Sequence, residues 1–253
     1  MKSQHRLSSG QIPKPVVPKQ TVKNPYLKSV KAIIYTRYGG PEVLSLQQID
    51  KPVPKHNEVL VKIHAVSVND WDWGLLNGDF VNRMLNGIKR PKKLQILGSD
   101  IAGTIESVGS SVNKFKPGDE VYGDLSGTWG GFAEYVCAKE TALAKKPASM
   151  SFEEAAAIPQ AAMLAVQGLI DAGEIKQAQK VLINGAGGGV GTFGVQIAKL
   201  HGAEVTGVDS AAKLDIMRLI GFDHVIDYRK EDFTKNGKQY DIILDVKTNR
   251  PIT

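Results

Sequence analysis

The sequence predicts an α/β protein in which a β-rich part is followed by a part built on a parallel sheet. Two observations indicate this class. After residue 29, short apolar or alternating runs are separated by turn-forming residues, a pattern typical of strands. After residue 180, an apolar run, a glycine-rich turn, an amphipathic stretch and a second apolar run follow one another, which indicates strand, turn, helix and strand.

Length and charge narrow the class of protein. The 253 residues can bury one large core or two smaller ones. No apolar run approaches the roughly 20 residues that span a bilayer, so we expect a soluble protein with no membrane span. The net charge is +6, but residues 1–41 hold eight basic residues and no acid, so the remainder carries −2. A nucleic-acid partner is therefore not expected.

Residues 1–29 are predicted to form a disordered basic tail. The tail lacks the apolar core of a secretory signal, and its acid-free character leaves an organelle transit peptide as an alternative.

Cys137 is the only cysteine, which excludes an internal disulfide and a multi-cysteine zinc site. We predict a cytoplasmic location, with an organelle as the alternative if the tail is a transit peptide.

Ordered structure is expected to begin near Ser29. The strands predicted for the first part are KAIIYT, VLSLQQI, VLVKIHAVSVN, QILGSDIAGTIESVG, EVYGDL and FAEYVCA. The segment from Asp70 to Lys93 is expected to be irregular, because its aromatic residues lie among glycines and asparagines. It is either a substrate-covering segment or a long surface loop with aromatic anchors.

A helix is predicted to begin after Ser151, which caps it together with Glu154 three residues later. Pro159 is expected to bend this helix or to start a new one. The domain boundary is placed just before it, which gives domains at 30–150 and 151–253. Strands are predicted near Val181 and Val205 and in HVIDY and YDIILDV.

The glycine-rich turn is typical of a dinucleotide site. Gly188 lets the backbone approach a pyrophosphate, which the amide groups at the helix start would hold, and Gly191 lets the helix pack on the strand. A glycine-rich turn without a ligand is the alternative. The predicted cofactor-binding residues of the turn are Ala186, Gly187, Gly188, Gly189, Val190 and Gly191.

Asp209 ends the strand that follows the turn, where an acid binds the adenosine ribose. Taken alone it favours NADH, because a carboxylate repels a 2′-phosphate. Ser210, Lys213 and Arg229 could hold that phosphate, or they form a solvated surface, so the preference for NADH over NADPH is slight. Tyr228 completes the predicted cofactor site.

Several further motifs extend this interpretation. With the glycine turn, the motifs KFKPGDEVYG, GGFAEYV, SFEEAAAIP and GFDHVIDY resemble the medium-chain dehydrogenase/reductase superfamily, over roughly Lys31 to Pro251. Within it, the chain resembles the zinc-independent quinone oxidoreductase and alkenal/enone reductase branch. The resemblance implies a GroES-like partial barrel, a Rossmann domain that is incomplete here, and an active site between them. Relatives continue further, so we expect a truncated chain with an exposed hydrophobic sheet edge.

The resemblance also bears on metals and on the reaction. Zinc-dependent members place ligands where this chain has Ser67, Val68 and Asn69, and in a Gly-His-Glu motif that reads Gly98-Ser99-Asp100 here. No catalytic zinc and no other metal site is therefore expected. The implied reaction is hydride transfer from NAD(P)H to a small-molecule electrophile, a quinone or an α,β-unsaturated carbonyl compound.

Three residues are the catalytic candidates. The resemblance places Asn69 and Asp72 near the nicotinamide, although both could instead cap the strand end and stabilise the loop. Tyr122 could donate a proton or a hydrogen bond, or be a buried tyrosine bonded to the backbone. Leu164 and Val166 stand where relatives commonly have threonine and an aromatic residue, which removes a hydroxyl expected near the nicotinamide.

Two other functions remain open at this point. One is a catalytically impaired nucleotide-binding or interaction protein that retains the fold, and the other is a zinc-type alcohol dehydrogenase. A homodimer is expected only for a full-length protein.

Overall fold

The computed structural model of the protein describes residues 29–93 and 95–247; most of the predicted basic tail, residues 1–28, lies outside this part. The first part of the fold is antiparallel. Strands β1 (Ser29–Ile34) and β2 (Ser45–Asp50) pair with each other. The larger sheet contains β3 (Glu58–Val66), β4 (Asp100–Val108), β5 (Glu120–Asp124), β6 (Tyr135–Lys139) and β7 (Leu143–Lys145). Its strand order is β6-β3-β4-β5-β7.

The five-stranded sheet covers its own apolar core. Alternate residues of a strand share one face, so Val59 and Val61 on β3 point to the same side as Ile101 and Ile105 on β4. These four side chains and Val121 on β5 are at most 1 % exposed. The sheet is therefore a rigid platform whose strand ends carry the residues of the site.

Two helices occupy the segment between β3 and β4. Helix α1 (Asp70–Asn77) begins after Asn69, and helix α2 (Phe80–Asn86) begins after Asp79, whose side chain accepts a hydrogen bond from the Asn82 amide at 2.8 Å. The prediction that residues 70–93 are irregular is therefore wrong. The side chains of Asp72 and Asp79 cap the starts of the two helices. The glycines and asparagines of the segment favour an irregular structure when these caps are not considered.

The second part follows α3 (Phe152–Ala156) and α4 (Pro159–Val166). The predicted capping pair is present, since Ser151 and Glu154 each accept the other's backbone amide hydrogen bond, at 3.1 and 2.8 Å. Pro159 starts a new helix, which was one of the two predicted outcomes. None of the helices in the described ranges is long and apolar enough to cross a membrane.

A four-stranded parallel sheet forms the centre of the second part. It consists of β8 (Lys180–Asn184), β9 (Glu204–Asp209), β10 (His224–Asp227) and β11 (Ile242–Asp245), with α5 (Gly189–Leu200) and α6 (Leu214–Leu219) as connections. The order is β10-β9-β8-β11, and every pairing is parallel. This confirms the predicted fold class. In the described part of the chain β11 is an edge strand, on which Ile243 is 55 % exposed.

Helix α5 packs closely against the glycine turn at Gly191. A Cβ atom on Gly191 would lie 2.2 Å from the carbonyl oxygen of Ala186, which is backbone and cannot swing away. This close contact fixes the start of α5, where Gly189 and Val190 lie at the surface of a cleft between the two parts of the fold. By contrast, a Cβ atom on Gly188 would meet only the Gly185 oxygen, at 3.4 Å.

Replacing Gly191 by alanine should therefore destabilise the fold. Because overpacking a tight contact costs about 1–3 kcal/mol, Gly191→Ala should lower the free energy of unfolding by that amount in urea denaturation. Gly188→Ala is the matched control, since Gly188 has extended backbone angles, φ −99° and ψ 178°, that alanine adopts freely. Equal stability of the two variants would contradict the packing argument.

Candidate active site

A cleft of about 800 Å³ lies between the two parts of the fold. One wall comes from the end of β3 and from α1 and α2, and the other from α3, α4, the glycine turn and Val246. The lining residues of the first wall are Ser67, Val68, Asn69, Asp70, Trp71, Gly74, Asp79, Val81, Asn82 and Leu85. Those of the second wall are Ala157, Gln160, Ala161, Leu164, Gly188, Gly189, Val190 and Val246. The segment 70–93 thus contributes to the cleft. Its role as a substrate-covering segment stays a prediction.

The glycine turn is fixed by backbone hydrogen bonds. The amides of Gly185 and Ala186 both donate to the Val208 carbonyl, at 2.9 and 3.1 Å, and the Gly188 amide donates to the Gly185 carbonyl at 3.2 Å. The amides of the first turn of α5 have no acceptor within the helix. The open space at Gly188 and these amides suit a pyrophosphate, so the turn fits the phosphates of a dinucleotide.

Asp209 is tied to the turn from the next strand. Its Oδ2 accepts the Gly187 amide at 2.9 Å and lies 3.5 Å from Lys213 Nζ, while its Oδ1 accepts the Ser210 amide at 2.7 Å. Burial alone would raise the pKa of Asp209, but the two amides and Lys213 outweigh it and lower the pKa. The carboxylate is therefore charged at neutral pH, and its charge is balanced by Lys213.

The remaining predicted cofactor residues lie beside Asp209. Strands β9 and β10 pair Asp209 with Asp227, and the Tyr228 amide donates to the Asp209 carbonyl at 3.2 Å. The Arg229 guanidinium lies 5.6 Å from the centre of the Tyr228 ring. Both side chains are exposed. With Lys213, this end of the site therefore presents two cations and an aromatic ring next to the carboxylates of Asp209 and Asp227.

Asn69 and Asp72 have different positions. Asn69 lines the cleft, and its Nδ2 donates to Ser99 Oγ at 3.2 Å and lies 3.5 Å from Ser67 Oγ. Asp72 is 2 % exposed, and its two oxygens accept the backbone amides of Asn69 and Gly98, at 3.0 and 2.9 Å. Burial raises the pKa of Asp72 against the effect of these amides. Asp72 thus joins the start of α1 to the turn before β4.

Asp100 connects the two walls of the cleft. It is 1 % exposed on β4, and its Oδ2 accepts the backbone amide of Gln160 on α4 at 3.0 Å. The pKa of Asp100 is raised to about 6, mainly by burial and to a smaller extent by the neighbouring Asp124 and Asp72. The Gln160 amide and the Asn69 side chain oppose this increase. The Asn69 side chain lies close enough to favour the charged form of Asp100. Among the described residues, however, Asp100 Oδ1 has no hydrogen bond of normal geometry.

The structure therefore brings together only some of the predicted site residues. Asn69, Gly188, Gly189 and Val190 share the cleft, whereas Ala186 and Gly191 are buried beneath it. Tyr122 packs with Ala102 and Phe152 and is not among the lining residues. Leu164 does line the cleft, where the resemblance implied a threonine.

Sequence reasoning missed several residues of the site. Gln160 was not singled out, Asp100 entered only as a replaced zinc position, and Val81 and Leu85 belong to the segment expected to be irregular. Among the described residues, no group of three or more His, Cys, Asp or Glu side chains could hold a metal. The expected lack of a catalytic zinc stays a prediction.

Two family models match the chain. The model described as alcohol dehydrogenase GroES-like domain matches residues 55–148, and that described as zinc-binding dehydrogenase matches residues 189–251. This pairing defines the class as a dehydrogenase whose first part is GroES-like.

Individual relatives define the family more closely. A chloroplastic quinone-oxidoreductase homolog from Spinacia oleracea is 39% identical over a region that covers 86% of this chain and 68% of the spinach protein. The chloroplastic NADPH-dependent alkenal/one oxidoreductase of Arabidopsis thaliana is 35% identical, covering 86% of this chain and 57% of its own length. The chain belongs to the medium-chain dehydrogenase/reductase superfamily, in its quinone oxidoreductase and alkenal/one reductase branch.

A solved structure agrees with this assignment. The quinone oxidoreductase of Escherichia coli complexed with NADPH superposes with a TM-score of 0.71 at 32% identity, over 80% of this chain and 60% of that one. Among these three proteins, the chain thus spans between 57% and 68% of the relative's length.

Replacing Asp100 by asparagine should make stability less dependent on pH. Because folding raises the pKa of Asp100 from 3.8 to about 6, the stabilisation linked to its proton is complete below 3.8 and is lost as the pH rises through about 6. The carboxamide introduced by Asp100→Asn carries no charge and can still accept the Gln160 amide. Relative to wild type, the variant should gain up to about 3 kcal/mol near pH 8 and little near pH 3.5.

Calorimetric Tm values at the two pH values check this expectation. Asp70→Asn is the control, because Asp70 is an exposed aspartate at the same end of the cleft. A Tm difference between Asp100→Asn and wild type that does not change with pH would contradict the assignment.

Proposed function

We propose that this protein is an NADPH-dependent reductase that transfers hydride to a quinone or an α,β-unsaturated carbonyl compound. The observation that carries the proposal is that the glycine turn and Asn69 line the same cleft. A dinucleotide held at Gly188 and Gly189 therefore faces a polar group that can bind a substrate oxygen. The similarity to the spinach quinone-oxidoreductase homolog and to the Arabidopsis alkenal/one oxidoreductase supports both substrate classes.

The polar end of the cleft serves the substrate oxygen. When bound, the reduced nicotinamide supplies the hydride, and the substrate oxygen gains negative charge. Asn69 Nδ2 donates to Ser99 Oγ at 3.2 Å and makes a longer contact with Ser67 Oγ at 3.5 Å. Exchange of the longer contact for the substrate oxygen would let this N–H group stabilise the developing negative charge. Asp72 is a positioning residue, because it holds the Asn69 backbone amide and keeps the carboxamide at the cleft. Solvent supplies the proton, and a donor role for Tyr122 stays a prediction.

The apolar part of the cleft selects the substrate. Trp71, Val81 and Leu85 lie on one wall, and Leu164 and Val190 on the other. Apolar walls hold a flat conjugated substrate and exclude water from the reacting atoms. Because Leu164 offers no hydroxyl, orientation of the nicotinamide depends on packing and on the remaining polar groups.

The adenosine end of the site favours NADPH in this proposal. Asp209 already binds the Gly187 amide and lies 3.5 Å from Lys213 Nζ, so its repulsion of a 2′-phosphate is reduced. Lys213, whose backbone amide donates to the Ser210 carbonyl, and Arg229, beside Tyr228, supply two cations that can bind that phosphate. The slight preference for NADH came from Asp209 taken alone, without its ion pair.

Location and assembly belong to the same proposal. The cytoplasmic location stays a prediction, and the chloroplastic relatives support its organelle alternative. A homodimer of the full-length protein likewise stays a prediction. Tight NADPH binding without turnover would instead favour the impaired nucleotide-binding protein.

Loss of NADPH absorbance with a quinone or a 2-alkenal should be measurable in stopped flow. Because the Cβ atom in Gly188→Ala would fill the space needed by the pyrophosphate, the KM for NADPH should rise about tenfold or more. The Tm should be unchanged, since the fold tolerates this Cβ atom. Absence of turnover with both substrate classes by the wild type would refute the proposed reaction.

Lys213→Ala should shift the cofactor preference towards NADH. Loss of a charge-assisted contact to the 2′-phosphate should weaken NADPH binding about tenfold, since such contacts contribute about 1.5–3 kcal/mol. NADH affinity should change little. Calorimetric Kd values for both cofactors check this. Arg218→Ala is the control, because Arg218 forms its ion pair with Asp215, three residues before it on α6, and not with Asp209. Equal weakening of both cofactors would argue against a 2′-phosphate site.

A further inference from the structure

Helix α2 carries its polar side chains inward and its apolar side chains outward. Asn82 and Asn86 are buried, and Asn86 Nδ2 donates to the Tyr35 hydroxyl at 2.9 Å. The apolar side chains on the opposite side of the helix and just after it are 57–79 % exposed; they are Phe80, Val81, Met84, Leu85 and Ile88. Exposure of a contiguous apolar patch to water is unfavourable, and such a patch is therefore typical of a binding surface.

A basic segment adjoins this apolar side of α2. Residues 80–93 contain five basic residues and no acid, and four of the five lie within Lys89–Lys93 and are exposed. The amides of Lys92 and Lys93 donate to the backbone and side-chain oxygens of Asn86, at 2.8 and 3.1 Å. The segment is therefore held against the end of α2. We call the five apolar residues and Lys89–Lys93 together the docking face.

We propose that the docking face binds peripherally to a membrane surface that contains anionic lipids. The apolar side chains would enter the boundary between head groups and acyl chains, and the cations would contact lipid phosphates. Anchoring is reversible, because a single short helix buries only a few side chains.

Other occupants fit the docking face less well. A nucleic acid would pair with the cations but leave five apolar side chains in water. A second copy docked about a two-fold axis would bring two acid-free basic segments together, which repel. Residues 1–28 of the same chain hold six basic residues and no acid, so they are repelled too. An anionic lipid surface satisfies both the apolar and the basic requirement.

The docking face adjoins the mouth of the cleft. Val81 and Leu85 belong to both, whereas Phe80 and Met84 lie outside the lining of the cleft. An apolar compound dissolved in the lipid would thus reach the cleft along one continuous apolar surface. The proposal itself concerns lipid binding and does not depend on the proposed reaction.

Co-sedimentation of the full chain with vesicles tests the proposal without any turnover. We expect binding to phosphatidylcholine vesicles that contain phosphatidylglycerol, weaker binding to phosphatidylcholine alone, and weakening by added salt. The double variant Phe80→Ser/Met84→Ser should bind about tenfold more weakly, because two apolar side chains no longer enter the lipid. Lys89→Glu/Arg90→Glu should weaken binding to the anionic vesicles by about tenfold or more.

Matched controls lie on the other part of the fold. Leu200→Ser removes an apolar side chain that is 86 % exposed on α5, and Lys176→Glu/Lys238→Glu makes the same change of charge at exposed sites. Both should bind like wild type, with unchanged circular dichroism in all variants. Failure of wild type to bind anionic vesicles, or equal losses in the controls, would overturn the proposal. Self-association that Phe80→Ser/Met84→Ser abolishes would assign the face to a second copy instead.

Discussion

The cleft depends on one buried carboxylate. Asp72 accepts the amide at the start of α1 and the amide of Gly98 before β4, so it joins two chain segments 26 residues apart. If either amide were lost, one buried oxygen of this carboxylate would be left unpaired, which costs more than an ordinary hydrogen bond provides. The positions of Asn69, α1 and the wall of the cleft follow from this contact.

Local patterns predicted much of the second part of the fold. The run from β8 to β9 combines an apolar strand, a glycine turn and an amphipathic helix, and each of these signals is contained within a few residues. The capping pair of Ser151 and Glu154 is equally local. Such features are readable because neighbouring residues determine them.

The features that the sequence did not reveal depend on distant contacts or on an unusual orientation. Asp100 and Gln160 are 60 residues apart, and only the tertiary fold brings them together. Helix α2 exposes Phe80 and Met84 and buries Asn82, so the rule that apolar residues lie inside indicates the wrong side. The cap at Asn69 and Asp72 was detectable, since an acid follows the N-cap by three residues, but aspartate replaces the usual glutamate.

The glycine turn has a consequence for the speed of cofactor exchange. Its conformation is held by hydrogen bonds to the Val208 carbonyl, the Gly185 carbonyl and the Asp209 carboxylate, all of which belong to the protein itself. A cofactor that meets a backbone already in its bound shape loses little conformational entropy and waits for no rearrangement there. Association at this turn should then approach the rate of diffusional encounter, and differences in residence time between cofactors should arise at the adenosine end of the site.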